Sequence, residues 1–164
     1  AGYMINANSL GKTTLTGTHS YTGATTIWDG ALVANGQLSS SPVTVWGGTW
    51  GGAPAMGQTG GRLSGTGTVS QPVTLEYRGA IAPGAGMGSA ATLALGSSLT
   101  ARDGSVIALD LSADPSGLVT PNDKVTVAGN LTLTGTVTIA ISASGGSLAP
   151  GTYTLLTYGG TITG

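Results

Sequence analysis

Aliphatic and small polar residues alternate along Val43-Thr44-Val45, Val73-Thr74-Leu75, Val125-Thr126-Val127, Leu131-Thr132-Leu133-Thr134 and Val137-Thr138-Ile139-Ala140-Ile141. A period of two sends successive side chains to opposite faces, so each stretch reads as a strand with one buried face. Threonine, valine and isoleucine branch at Cβ, which favours extended backbone. No long stretch carries an apolar period of 3.6, and helix formers are scarce, with one glutamate and two lysines. The pattern predicts an all-β protein.

A repeat is visible when the chain is shifted by about 18 residues against itself. Ile27-Trp28-Asp29-Gly30-Ala31-Leu32 then falls on Val45-Trp46-Gly47-Gly48-Thr49-Trp50, so that Trp28 meets Trp46 and Leu32 meets Trp50. The same shift takes Val45 to Leu63, Leu75 to Leu93, Ile81 to Leu99, Ile107 to Val125 and Leu109 to Val127, with slips around Pro54 to Gly60 and Ala113 to Pro121. A short strand, a glycine turn, a second strand and another glycine make a coil of about 18–20 residues, which predicts a parallel β-solenoid with rungs about 4.8 Å apart. At that length the chain makes about nine coils and a rod near 40 Å long.

Composition fits the same picture. Glycine, threonine and serine fill 72 of 164 positions, a bias that suits a disordered linker, but 40% of residues are hydrophobic and regularly spaced, which disorder does not require. The glycines suit corners, and the threonines suit stacked outer columns. Charged residues are only 7%, as expected where in-register stacking sets like charges above one another. Five cations and a net charge of −1 leave no basic footprint for nucleic acid. With no cysteine there is no disulfide framework or thiolate metal site, and no apolar run is long enough for a membrane-spanning helix.

Leu15-Thr16-Gly17-Thr18-His19-Ser20-Tyr21-Thr22-Gly23-Ala24-Thr25-Thr26-Ile27, followed by Gly30-Ala31-Leu32, resembles the autotransporter-associated β-strand repeat (passenger-associated transport repeat) family. Gly61 to Val69 and Ile81-Ala82-Pro83-Gly84 resemble the segment that follows it. Residues 109–164 are similar to the C-terminal part of autotransporter-like passengers, through Asp123 to Val127, Leu131 to Val137, Gly151 to Leu156 and Gly159 to Gly164. The resemblance implies a right-handed β-solenoid, extracellular or on a bacterial cell surface, with no catalytic residues. Full-length members carry a signal peptide and an outer-membrane barrel, so the chain is expected to be a processed product or a fragment.

Residues 1–10 resemble the last strand of such a solenoid rather than its first. One expectation is a unit of a tandem array. A second is that Tyr3, Met4 and Ile5 complete the open end of a neighbouring copy as a donated strand, and a third is that Tyr3 to Asn8 pairs with its own first coil.

Candidate chemistry is sparse. At the repeat shift no carboxylate falls on another, whereas general acid–base hydrolysis needs two within roughly 5 to 9.5 Å. Asp103, Asp110, Asp114 and Asp123 lie near turns and are expected to bond to their own backbone. Asp110, Asp114 and Asp123 could gather around calcium, but the glycine-aspartate nonapeptide of calcium-binding β-rolls is absent, so no metal is assigned. His19 lacks an acid or thiol beside it and reads as a solvated loop residue. Gly84-Ala85-Gly86-Met87-Gly88 lacks the strand and helix of a nucleotide fingerprint. Asn130-Leu131-Thr132 fits the N-glycosylation acceptor pattern.

Trp28 and Trp46 are expected to point outward on adjacent coils as an aromatic ladder, either structural, or an interface with a neighbouring protomer, or a platform for sugar rings. Trp50 is expected in the core. Taken together, the sequence predicts one solenoid domain over residues 1–164, a structural part of an extracellular fibre or stalk. Its partners are copies of itself stacked head to tail, and it has no catalysis and no cofactor. The alternative is a glycan-binding adhesin presenting the Trp ladder. A polysaccharide-degrading β-helix enzyme is the least supported, with one glutamate and no acidic or basic cluster.

Overall fold

The computed structural model describes residues 3–6, 11–47, 60–84 and 90–164, the first of these as backbone only. Trp50, Gly48 and residues 85–88 lie outside the described residues, as do the side chains of Tyr3, Met4 and Ile5.

The chain coils as a right-handed parallel β-solenoid with three sheets. The first sheet stacks seven strands: Tyr3–Asn6, Thr25–Asp29, Val43–Val45, Val73–Leu75, Leu99–Ala101, Leu131–Leu133 and Ile162–Thr163. The second stacks Lys12–Leu15, Ala31–Ala34, Arg62–Gly65, Ala80–Pro83, Val106–Leu111 and Thr138–Ala143. The third stacks Thr18–His19, Gln37–Leu38, Thr68–Val69, Thr92–Leu95, Lys124–Val127 and Leu156–Tyr158. Each rung visits the three sheets in turn, and every strand pairs in parallel with the rungs beside it.

Alternation fixes which side chains face inward. Val43, Val73, Leu99 and Leu131 form one inner column of the first sheet, and Ile27, Val45, Leu75 and Ala101 form another, all buried. Leu32, Leu63, Ile81 and Ile107 line the second sheet, and Leu38, Val69, Leu95 and Val127 the third. The triangular interior is narrow enough for aliphatic side chains to fill it without phenylalanine.

The coil length departs from the sequence expectation over much of the chain. Thr25 stacks on Val43 and Arg62 on Ala80, both at the expected shift, and Lys12 stacks on Ala31 at nearly the same one. The coils that carry Val43 to Val73, Val73 to Leu99 and Leu99 to Leu131 are much longer, the last of them the longest. Ile27–Val45 and Trp28–Trp46 are rung neighbours as expected, whereas the pairs expected from Val45 onward are not: Val45 lies on Leu75, Leu75 on Ala101, Ile81 on Ile107, and Leu109 on Ile141. Stacking requires only that strand registers match. Extra residues at a corner cost little closure entropy, so coils of unequal length share one core. The seven rungs among the described residues span about 30 Å, shorter than the expected rod.

Glycine is needed where corners stack most closely. Gly17, Gly36 and Gly67 succeed one another between the second and third sheets. A Cβ on Gly36 would overlap the Gly17 backbone, and one on Gly67 the Gly36 carbonyl.

The last rung has an open side. Ile139, Ile141, Tyr158 and Ile162 continue inward columns through Ile107, Leu109, Val127 and Leu131, yet remain 44–50% exposed because no rung among the described residues covers them.

Candidate functional site

The outer face of the first sheet carries two columns set by the same alternation that buries its inner ones. Thr26, Thr44, Thr74, Thr100, Thr132 and Thr163 stack in a continuous ladder. The Thr163 and Thr132 hydroxyls are 3.3 Å apart at its end. Two residues along each strand runs the column Trp28, Trp46, Glu76, Arg102. Their order is fixed by the amides of Trp46, Glu76 and Arg102 donating to the carbonyls of Ile27, Val45 and Leu75. The two indoles, both half-buried, stack with centroids 5.0 Å apart and planes 15° apart. Below them Arg102 Nε lies 3.5 Å from Glu76 Oε1, an opposite-charge pair on adjacent rungs.

Sequence comparison at one constant shift misses this ion pair, because the rungs that carry Glu76 and Arg102 belong to a longer coil. Laying Val73-Thr74-Leu75-Glu76 on Leu99-Thr100-Ala101-Arg102 would have found it. The next corner carries Tyr77, which is 57% exposed, and Arg78, whose guanidinium sits 5.4 Å over the tyrosine ring. The ring lies against Gly104, where φ is +73° and a Cβ would strike the aromatic edge.

The other sequence candidates fall apart from this face. Tyr3, Met4 and Ile5 pair with Thr25, Thr26 and Ile27 of their own chain, as the terminal strand of the first sheet. Asn130 Oδ1 accepts from the Thr161 amide at 3.0 Å, which ties its corner to the next rung. His19 lies in a short strand of the third sheet rather than a loop, with its Nε2 donating to the Thr16 carbonyl at 2.9 Å.

Repeat spacing sets no carboxylate on another, and it does not reveal that the Asp123 carboxylate lies against the Asp110 backbone. The loop between Val106–Leu111 and Lys124–Val127 folds back on itself, a contact invisible to rung spacing. Asp123 Oδ2 accepts from the Asp110 amide at 2.9 Å, and its Oδ1 accepts from the Ala91 amide at 2.7 Å. Burial pushes the Asp123 carboxyl above the usual carboxylate range, and the nearby Asp110 charge adds to that, against the opposing pull of the two amides. Both side chains are buried.

Asp114 organises the tip of the same loop. Its Oδ1 accepts from the Ser116 hydroxyl at 2.6 Å and amide at 3.0 Å; its Oδ2 accepts from the amides of Val119 at 2.8 Å and Thr120 at 3.3 Å. These donors, the Ser116 hydroxyl first, hold the exposed carboxyl well below its ordinary range. The oxygens of Asp110, Asp114 and Asp123 do not converge, and among the described residues no group of three metal-ligating side chains forms.

No family model matches the chain, and no solved structure matches it. Over 162 residues the chain is 38% identical to the adhesin BmaC autotransporter of Brucella suis biovar 1 (strain 1330). The alignment takes in 96% of this chain and 4% of that protein, so the chain is related to one short section of a far longer autotransporter adhesin.

Proposed function

We propose that this chain is a section of the rod of an autotransporter adhesin: a passenger-like structural β-solenoid, exposed at the cell surface, continued end to end by further rungs and without catalysis. The observation that carries it is the open last rung. Ile139, Ile141, Tyr158 and Ile162 occupy inward columns at 44–50% exposure, and the strand edges beneath them have no partner rung among the described residues. A covering rung would bury these side chains at about 25 cal/mol per Å² of apolar surface and pair a full layer of backbone. Relationship to a small section of a long adhesin supports continuation within one chain or by tandem copies. Head-to-tail stacking of separate copies uses the same end, with the Tyr3–Asn6 strand of one copy laid beside Ile162–Thr163 of another in the first sheet. A non-closing contact of that kind builds a filament.

A glycan-binding role for Trp28 and Trp46 is the alternative adhesive reading. Stacked indoles spend one face of each ring on the other, which supports a structural ladder over a flat two-ring sugar platform.

The test compares a single copy with two copies joined in tandem. The tandem protein is expected to melt higher than the single copy and to unfold as one cooperative unit, and the single copy to form end-to-end particles under the electron microscope as concentration rises. Identical melting of the two proteins, with monomeric particles at every concentration, would overturn the proposal.

A further inference from the structure

We propose that the groove beside the 112–122 loop is a binding site for an acidic saccharide, with Lys124 as the anchor for its carboxylate. The groove has a volume of about 350 Å³, within the range of small-ligand sites. Its floor is the outer face of the third sheet, where Thr92 and Lys124 are rung partners, and Thr154 lies on the rung beyond. Its wall is the loop, which presents Pro115, Ser116 and Pro121 to the opening.

The wall is built to hold its shape. Asp114 ties residues 116, 119 and 120 together through four hydrogen bonds. Asn122 donates to the Asp114 carbonyl at 2.6 Å, and its Oδ1 accepts from the Ser112 amide at 2.7 Å. The following rung braces the loop: the Tyr153 hydroxyl lies 3.2 Å from the Ser112 carbonyl, and Pro115 packs on the Gly151 backbone so closely that a Cβ there would overlap it. A wall fixed before the ligand arrives saves the ordering cost that a mobile loop would incur on binding.

The lining selects the ligand class. Hydroxyls of Thr92, Ser116 and Thr154 offer donors and acceptors at several points, as a polyhydroxylated ligand needs. Pro115 and Pro121 add apolar surface beside these hydroxyls, for the C–H groups of a sugar ring. The charge is one-sided: Lys124 lines the groove and no carboxylate does, because the Asp114 oxygens are turned into the loop. A carboxylate on the sugar would gain a charge-assisted hydrogen bond from the ammonium. This site is separate from the Trp28–Trp46 ladder on the first sheet. It rests on the surface-exposed reading above only for access to saccharides.

The test titrates the purified chain with oligogalacturonate and with its methyl ester, which keeps the sugar and removes the charge, following backbone amide shifts by NMR. The expected result is a saturable shift of residues 92, 116–117, 122–124 and 154 with oligogalacturonate, and binding at least tenfold weaker for the ester. Lys124→Gln is expected to bind oligogalacturonate at least tenfold more weakly with an unchanged melting temperature. Thr92→Val, on the same outer face, is expected to weaken it as well and serves if the first variant misfolds. Equal binding of acid and ester, shifts confined to another face, no binding of either, or full binding by both variants would each overturn the proposal. None of these outcomes bears on the stacking of rungs, which the tandem experiment decides separately.

Discussion

Asp123 is held by two amide donors that favour its charged form, yet burial beside Asp110 outweighs them and raises its affinity for a proton. The folded chain therefore binds this proton more tightly than the unfolded chain, whose carboxyl titrates near about 4. Its contribution to stability is full below that value and declines as pH rises through the folded-state value. Denaturant unfolding between acid and neutral pH is expected to show a flatter dependence in Asp123→Asn than in the natural chain, on top of a constant loss from the one amide donor that the new NH₂ group cannot accept. An unchanged slope would contradict the assignment. Asp114 runs the other way: its carboxyl is lowered, so its help to the loop is present above about pH 4 and is lost as pH falls further. The indole stack makes a second prediction at this scale. A double-mutant cycle of Trp28→Ala and Trp46→Ala is expected to give a coupling of about 0.5–1.5 kcal/mol in unfolding free energy. The pairing of these two residues was legible in the sequence because the rungs that carry them sit at the shift where the chain most plainly repeats. For Asp110 and Asp123 the sequence offered only that they could gather in one loop, and not which atoms meet, because a loop that turns back on itself leaves no periodic trace.

Strands here are short, several of them two or three residues, and none would be stable outside the stack. What each contributes is register. Alternation buries every second side chain, so a slip of one residue would turn a whole column of aliphatics outward. The corners then decide how closely rungs approach. Gly36→Ala is expected to destabilise by at least about 1–3 kcal/mol, because its Cβ would meet the Gly17 backbone, which no rotamer change can relieve. Thermal unfolding checks this. Asn130→Ala is expected to cost about 1 kcal/mol and to speed hydrogen exchange at Thr161, whose amide loses its acceptor. Strand positions could be read from sequence alone for the longer alternating stretches. Two-residue strands such as Thr18–His19 and Gln37–Leu38 could not, since two residues carry no period and are extended only because rungs on either side hold them.

Stability in a stack of this kind is close to a sum of rung and interface terms, so the molecule should open from its uncovered end. Amides in Thr138–Ala143 and Leu156–Tyr158 are expected to exchange faster than those of Val73–Leu75, and a second copy joined after residue 164 is expected to slow them; equal rates along the rod would count against a nearest-neighbour stack. Unequal coils make the rod asymmetric, since extra residues collect at corners and leave the triangular core unchanged. Strand chemistry, inward and outward faces, glycine corners and the stacked architecture all follow from the amino-acid order, because local alternation and steric demands at single residues set them. Which rungs are neighbours does not follow from it, and with that go the Glu76–Arg102 pair, the buried Asp110–Asp123 contact and the groove against Lys124. Those depend on how much chain each corner loop consumes. Loop length is nearly free in energy and carries no periodic signal, so it can be known only once the strands are stacked.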